Sequence, residues 1–512
     1  MASSKIKTLE ELAEIVRRLK AEGKTVVQCH GTFDLMHPGH IKHFEAAKRE
    51  GDALIVTVTP DMHVKKGIGR PVFSEDLRVE SIAALECVDY VTLDKNPAPY
   101  EAMGMLKPDI FVKGEDYAGK ETVEGHPTWE EKQILDRYGG RMHFTREPVV
   151  FSSSAILNEH FSPYPEETQN FLKALRSKYP IEGIAANVDR ARSLRVLVVG
   201  DTILDVYHYC SLLGRSLKEE ILRVKVNESE MFAGGAVAVA NTVAGFCGEV
   251  GLVTLLGRKD PDKEARHEAF VREKLLPNVT PYVFYRDDAP TVVNERFTHK
   301  VFLKKWFGLY QIEEKLLPKE LESEIARVMD ELVPAYDIVL VTDFGLGFLT
   351  EPLIARLAER ARFLSVNVQT NSANLGFNYL TKYPRADYAT ASEPEMQLAF
   401  RERHAPLERL VGDAIRQLSA RALSVTLGPR GALVSDGESH HVIPVLSQKI
   451  VDRIGAGDAY LSVTTPLVYA GLPLDLVGFL GNVAGAIACT IVANRQTIDR
   501  EMLLRSVRAL LK

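Results

Sequence analysis

The chain has 512 residues, too many for one ordinary core, and two or three domains of about 100–200 residues are expected. Hydrophobic residues make up 46% and charged residues 26%, the balance of a folded globular protein, which excludes a disordered or fibrous chain. A net charge of −6 argues against a dedicated nucleic-acid binder, so any anionic substrate must be held by a local site.

The start, "MASSKIKTLEELAEIVRRLK", reads as an amphipathic charged helix and not as a secretory signal. "TVVQC" then reads as a strand, "HIKHFEAAKRE" as a helix, "ALIVTVT" as a strand, "SEDLRVESIAALE" as a helix, and "DYVTL" and "PDIFVKG" as strands. Such alternation implies βαβ units and a parallel sheet with helices on both faces. "FSSSAILNEHF" reads as a helix start with serines available to cap it. After Phe161, a proline-bearing, charged stretch reads as a linker or bridging helix. A second alternating pattern opens at "RVLVVGDTILDVY" and continues through "DIVLVTDFG", "FLSVNVQ" and "ALSVTLGPRGALVSDG" to a helical stretch from "GAGDAYLSV". "LVGFLGNVAGAIACTIVA", Leu476 to Ala493, approaches membrane-spanning length without a charge. Its Gly and Ala content and Asn482 favour a buried helix.

The fold class expected is therefore α/β, with two doubly wound domains. Their expected bounds are residues 1–164 and 193–512, joined by 165–192. Cys29, Cys87, Cys210, Cys247 and Cys489 form no C-x-x-C pair. They support neither a disulfide framework nor a zinc site, and a reducing cytoplasm fits them best.

"HGTFDLMHPGH" places His37 and His40 between a strand and a helix. A helix N-terminus offers bare N–H groups and partial positive charge to a phosphate. The three-residue spacing puts both rings on one side of the first turn. Gly39, and Gly31 with Thr32 at the strand end, would let a ligand approach the backbone. The blander alternatives are a surface pair or half of a metal site. In the second half, Gly455-Ala456-Gly457 before a helix would form an anion hole, with Asp458 placed to take a proton from a hydroxyl. The alternative there is a glycine-rich helix start with Asp458 as its N-terminal charge partner.

"GTFDLMHPGH" resembles the H-x-G-H signature of the cytidylyltransferase-like nucleotidyltransferases. "KKGIGRPVFSEDLRVESIAALECVDYV", "LKPDIFVKGEDY" and "FSSSAI" resemble three further segments of that family in its order. The resemblance implies a Rossmann-like domain that joins a nucleoside triphosphate to a phosphorylated alcohol or sugar and releases pyrophosphate. It implies that His37 and His40 stabilise the triphosphate as charge develops, with Gly31, Thr32, Phe33 and Gly39 around it. Lys66 or Lys65, with Lys113, would neutralise phosphate, and Arg146 is a further candidate. Ser152, Ser153 and Ser154 would offer hydroxyls and a helix start. The arginine-containing "RTEGIST" pattern of one family branch reads "TREPVVFSSS" here, with different spacing.

"VVGDTILDVY", "AGGAVAVAN", "VTDFGLGFL", "VTLGPRGALV" and "GAGD" resemble, in order, the ribokinase-like (PfkB) sugar kinases. That resemblance implies Asp458 as catalytic base and Gly455, Ala456 and Gly457 as anion hole. Gly428 and Gly431 would touch the nucleotide, Asp205, Gly234, Gly235 and Asn241 would line the acceptor pocket, and Glu395 would serve the metal. Departures are Ile454 in "DRIGAGD", "NVQ" at Asn367 to Gln369, and Ser392 in "SEPE". They leave the base and anion hole intact and put ATP binding and the metal site in question.

Together the halves resemble the bifunctional heptose kinase/adenylyltransferases, in reversed order. The implied chain makes an ADP- or CDP-activated sugar (heptose-like) or polyol for a bacterial surface glycan. Its implied cofactors are Mg²⁺, ATP for the kinase half, and ATP or CTP for the other. Its implied partners are a sugar or polyol phosphate and a nucleoside triphosphate, without nucleic acid or membrane, with a homodimer formed through the kinase half in the cytoplasm. One alternative keeps only nucleotidyl transfer, with a silent PfkB-like half that binds a ligand or dimerises. Another is a non-catalytic scaffold. "VNERFTHKVFLKKWFGLYQIEE" either closes over the acceptor, faces a partner or is an ordinary lid or core element.

Overall fold

The computed structural model describes residues 2–64, 71–145, 164–216, 218–313, 315–447 and 450–511. The chain divides into two units, Met1–Pro163 and Tyr164–Leu511.

In the first unit, β1 (Val26–Gly31), β2 (Ala53–Val58), β3 (Tyr90–Leu93), β4 (Ile110–Gly114) and β5 (Arg141–Thr145) form one sheet in the order β3-β2-β1-β4-β5. Every pairing is parallel. β2 is buried along its whole length, as a strand covered on both faces must be, so it reads as a continuous apolar run instead of an alternating one. The order reverses between β1 and β4. A ligand crevice opens at such a reversal, beyond the carboxyl ends of the strands. The expected first helix is Leu9–Ala21, opened by a capping box between Thr8 and Glu11. β5 and the helices Tyr100–Leu106 and Pro127–Asp136 were not legible in the sequence. β5 is a short edge strand of mixed polarity, "RMHFT", without a clean period.

The second unit holds two sheets. The larger runs β10 (Val279–Arg286), β9 (Glu249–Gly257), β6 (Arg195–Gly200), β13 (Ile338–Asp343), β14 (Leu364–Val368), β15 (Tyr388–Ser392), β16 (Ala422–Thr426), β17 (Ala432–Ser435) and β18 (His440–Ile443). It is parallel from β10 to β16 and antiparallel from there to β18. The smaller sheet orders β12 (Lys305–Gln311), β11 (Val292–His299), β7 (Thr202–Arg215) and β8 (Leu222–Gly235). "RVLVVGDTILDVY" is thus two strands in two sheets, broken at Asp201. The last residue of the first strand must be a glycine, because a Cβ at Gly200 would lie 2.2 Å from the Thr342 carbonyl oxygen of β13.

Residues 165–192 contain helices Glu166–Lys178 and Ile181–Asp189, which pack on this second unit. Lys178 and Tyr179 both donate to Asp475, and Arg500 reaches Asp189. Helix Leu474–Ala488 is buried inside the unit. Its glycines explain its composition: a Cβ at Gly481 would meet Thr464 and Tyr460 at 2.6 Å, and one at Gly478 would meet Val434 and Ile443 at 2.7 Å. The small residues therefore permit close packing on helix Ala456–Tyr469 and on β17 and β18. Among the described residues no helix is long and apolar enough to cross a membrane.

Candidate active sites

In the first unit, β1 ends at Gly31 and helix Pro38–Arg49 begins seven residues later. Phe33 takes a left-handed φ of 48°, which costs about 1–2 kcal/mol for a side-chain-bearing residue. Packing offsets this cost. Its ring meets Phe44 at 4.9 Å and the edge of His40 at 5.4 Å, and it fills the space a side chain at Gly31 would need. Gly31 thus makes room for the Phe33 ring. Arg78, almost fully buried, donates to the carbonyls of Thr32, Thr59 and Phe73 and to Asp61. Asp34 accepts from the backbone N–H of Val72 and Phe73. The loop is fixed from both sides.

His37 is the N-cap of the helix, and its Nδ1 accepts the Gly39 N–H at 3.1 Å. An acceptor Nδ1 puts the ring proton on Nε2. The two rings stack, centroids 3.9 Å apart and planes at 24°. His40 therefore rests between Phe33 and His37. Lys113 stands at the end of the neighbouring strand β4, its Nζ 2.5 Å from Glu131 and 4.5 Å from the Tyr117 ring centroid. Burial pushes the Glu131 carboxyl up, against the pull of Lys113. His30 lies between Thr57 and Thr59, with Nδ1 2.9 Å from one hydroxyl and Nε2 3.2 Å from the other. Burial, aided by the Lys113 charge, holds its ring down to about 4. His43 is likewise held to about 4 by burial, 2.7 Å from the Thr145 hydroxyl. Both are neutral structural rings at pH 7. The structure thus brings His37, His40, Thr32, Phe33, Gly39 and Lys113 to the carboxyl ends of β1 and β4. Lys65, Lys66, Arg146, Ser152, Ser153 and Ser154 lie outside the described residues.

In the second unit, a cavity of about 330 Å³ is lined by residues of both sheets. Asp205, Asn294, Arg296 and Tyr310 come from the smaller sheet. Asn367, Thr390, Ser392 and Thr426 come from the ends of the larger one, and Gly455, Gly457 and Asp458 from the start of helix Ala456–Tyr469. The basic, aromatic segment is strands β11 and β12, and it contributes to the cavity. Gly455 takes φ 82° at the N-cap, and beside Gly457 there is open space where a side chain would sit. The Ala456 N–H is directed at the Arg453 carbonyl oxygen, 3.4 Å away, and the glycine at 457 leaves the backbone of this start uncovered toward the cavity. Burial pushes the Asp458 carboxyl up to about 6, the Asp205 and Glu395 charges add to this, and the Gln369 amide opposes it by donating to Oδ1 at 2.6 Å. Arg296 pairs with Asp205. Burial raises the Asp205 carboxyl despite that partner.

Two expectations, Asn241 and Gly234 as lining residues, need correction. Asn241 does not line the cavity; its amide donates to the Lys274 carbonyl at 2.8 Å and accepts the Leu276 N–H at 3.0 Å. It pins helix Ala236–Ala244 to the next connection. Gly431 and Gly428 shape the β16–β17 turn, where a Cβ on Gly431 would lie 2.0 Å from the Ile443 oxygen, and Thr426, just before them, reaches the cavity. Gly234 leaves room for the Asp205 carboxylate, 2.5 Å from its own Cβ position, so it acts on the site through Asp205. Gly235 lines the cavity as expected. Glu395 also lines it, but both its oxygens are engaged: one accepts from Ser392 N–H and hydroxyl, the other from Thr370 N–H. Ser392 is the N-cap of that capping box, which gives the serine a helix-capping role of its own. Among the described residues no group of three His, Cys, Asp or Glu could hold a metal ion. Arg78, Glu131, Asn294, Arg296 and Asp452 were not singled out as individual residues from sequence. Lone polar residues on strands and helices carry no local signal.

Residues 29–158 match the cytidylyltransferase-like family, and residues 314–498 match the pfkB family of carbohydrate kinases. The chain therefore carries a nucleotidyltransferase-type domain followed by a carbohydrate-kinase-type domain. Over its N-terminal part it is similar to bifunctional proteins HldE. That of Trichlorobacter lovleyi is 40% identical over 168 residues, 32% of this chain and 33% of the relative. That of Aliarcobacter butzleri is 42% identical over 142 residues, 27% of this chain and 30% of the relative. The chain thus spans about a third of the length of the curated relatives it matches. Among solved structures, phosphofructokinase-2 from Escherichia coli in complex with substrates and products aligns over 62% of this chain and all of its own, with TM-score 0.49 and 13% identity.

Proposed function

We propose that the chain is a bifunctional enzyme that phosphorylates a sugar or sugar phosphate and then transfers a nucleotidyl group onto the phosphorylated product. The observation that carries this reading is a matched pair of sites. In each unit the polar groups gather at a helix start beyond the carboxyl ends of parallel strands, where phosphate is best held.

In the kinase half, proposed as residues 193–512, Asp458 takes the proton of the acceptor hydroxyl. That oxygen attacks the γ-phosphorus of ATP, the bond to the bridging oxygen breaks, and ADP leaves. The N–H groups of Gly455 to Gly457 receive the charge of the transferring group, and Asp205, Asn294 and Arg296 orient the acceptor. Mg²⁺ arriving with ATP would supply neutralisation of phosphate charge; Glu395, whose oxygens already accept from Ser392 and Thr370, does not by itself form a site for it. In the nucleotidyltransferase half, proposed as residues 1–164, a phosphate oxygen of the acceptor attacks the α-phosphorus of ATP or CTP and pyrophosphate leaves. His37 and His40 donate to the triphosphate as charge develops on it. Lys113, Lys65 or Lys66, Arg146 and the serines Ser152 to Ser154 supply the remaining charge and hydroxyls.

The product of this reading is an ADP- or CDP-activated heptose-like sugar or polyol, made in the cytoplasm. A homodimer through the smaller sheet is part of the reading, supported by the exposed Leu212, Leu222, Val226, Phe307 and Leu309 on its strands. The test is a pair of assays on one preparation. ADP formation is measured with ATP against sugars and sugar phosphates, and pyrophosphate release with ATP, CTP, GTP and UTP against sugar 1-phosphates and polyol phosphates. Turnover in both supports the proposal. Pyrophosphate release with no ADP formation on any acceptor leaves the kinase half a silent ligand-binding module.

A further inference from the structure

One row of charges links the acceptor end of the cavity to the anion-hole turn. Arg296 of β11 pairs with Asp205, and its guanidinium lies 5.6 Å from the Tyr207 ring centroid. Lys305 of β12 lies 5.3 Å from the same centroid and pairs with Asp452 at 2.5 Å. The Tyr207 hydroxyl donates to the other Asp452 oxygen at 2.7 Å. Asp452 is buried and stands three residues before Gly455. Its Oδ1 also accepts the Ile454 N–H, and its Oδ2 accepts the Ala493 N–H, both at 3.2 Å. Burial alone would raise this carboxyl, but Lys305 and Tyr207 outweigh it and hold it below the usual range. Asp452 therefore braces the turn that aims the anion hole, and its charge is balanced from the smaller sheet. Lys305 itself does not line the cavity.

We propose that Lys305 is a positioning residue for phosphoryl transfer. Its ammonium, carried on a strand of the sheet that covers the acceptor, holds Asp452, and Asp452 holds the Ile454–Gly457 turn in register with the transferring group. This rests on the kinase reading above.

The experiment uses the full chain and the acceptor that gives most ADP in the panel. Lys305→Ala is expected to lower kcat for ADP formation about 100-fold, the scale of a displacement of about 1 Å in a reacting group. The KM for ATP should move less than about threefold. Added propylammonium or ethylammonium should restore at least about tenfold of kcat, because a free ammonium can re-enter beside Asp452. Lys305→Ala/Asp452→Asn should be no slower than Asp452→Asn alone. Pyrophosphate release, proposed for the other unit, should be unchanged in each variant, and an unchanged denaturant transition of the second unit reports that the unit carrying Lys305 is folded. If Lys305→Ala aggregates, Lys305→Met is read in the same way. A kcat within threefold of wild type, or a loss that amines do not restore, overturns the inference while leaving the kinase reading intact. Wild-type protein that forms no ADP from any acceptor overturns both.

Discussion

Asp458 must be both withdrawn from water and ionised. With its carboxyl pushed up to about 6, a proton-accepting role requires the charged form, so ADP formation should fall below that pH. The expected profile of kcat/KM rises with unit slope up to about pH 6 and then levels. Gln369→Ala removes a hydrogen bond that favours the ionised form, so its profile should shift to higher pH. A rate profile flat between pH 5 and 8 would contradict a base role for Asp458. Linkage gives a second consequence. Between about 4, the unfolded value, and about 6, the folded chain binds more protons at this group. The stability it contributes therefore declines as pH rises through that window. Asp458→Asn should then raise the melting temperature at pH 8, with the gain vanishing below about pH 4. An equal gain at every pH would place the effect elsewhere. Asp458 was legible from sequence because glycines on both sides of Ala456 announce a helix start. Asn241 was misassigned because an asparagine on an apolar helix looks the same from sequence whether it faces a ligand or fastens two backbones.

At the scale of elements, strand-to-helix seams were legible and sheet switches were not. "TVVQCHGTFD" and "GAGD" signal by composition. Just before the break, Gly200 lies against Thr342 of β13, 142 residues away in sequence, and no local pattern encodes that approach. The β16–β17 turn offers a clean test. Gly431 has φ 97° and no room for a Cβ, whereas Gly428 has φ 58° with open space around it. Gly428→Ala should cost about 1 kcal/mol, the left-handed penalty alone. Gly431→Ala should exceed about 3 kcal/mol, because backbone must move as well. Denaturant titration of the second unit's transition checks the contrast, and equal costs would refute this account of the turn. In the first unit, Arg78 ties the β1 loop to the β2 end by a fork of donors. Arg78→Lys cannot reproduce that fork. It should lower pyrophosphate release about 100-fold and leave ADP formation unchanged. A variant with full pyrophosphate release would show that the loop holds its shape without Arg78.

On the scale of the whole chain, the α/β class, the parallel core of each main sheet and the order of the two site types were readable from alternation and short glycine-bearing motifs. Of the smaller sheet only the β11–β12 segment was weighed as a lid; its pairing escaped because the strands are antiparallel or return from distant segments, with Asn294 and Arg296 about 90 positions from Asp205. The central claim is that two chemistries reside on separate site residues of one chain. The measurement that tests it most directly is a cross of two variants with two assays. His37→Ala should cut pyrophosphate release by about 100-fold or more and leave ADP formation at the wild-type rate. Asp458→Asn should do the reverse, with a loss of about 100- to 10,000-fold in ADP formation. A substitution that silences both activities in protein with an unchanged melting profile, or neither, would contradict the account.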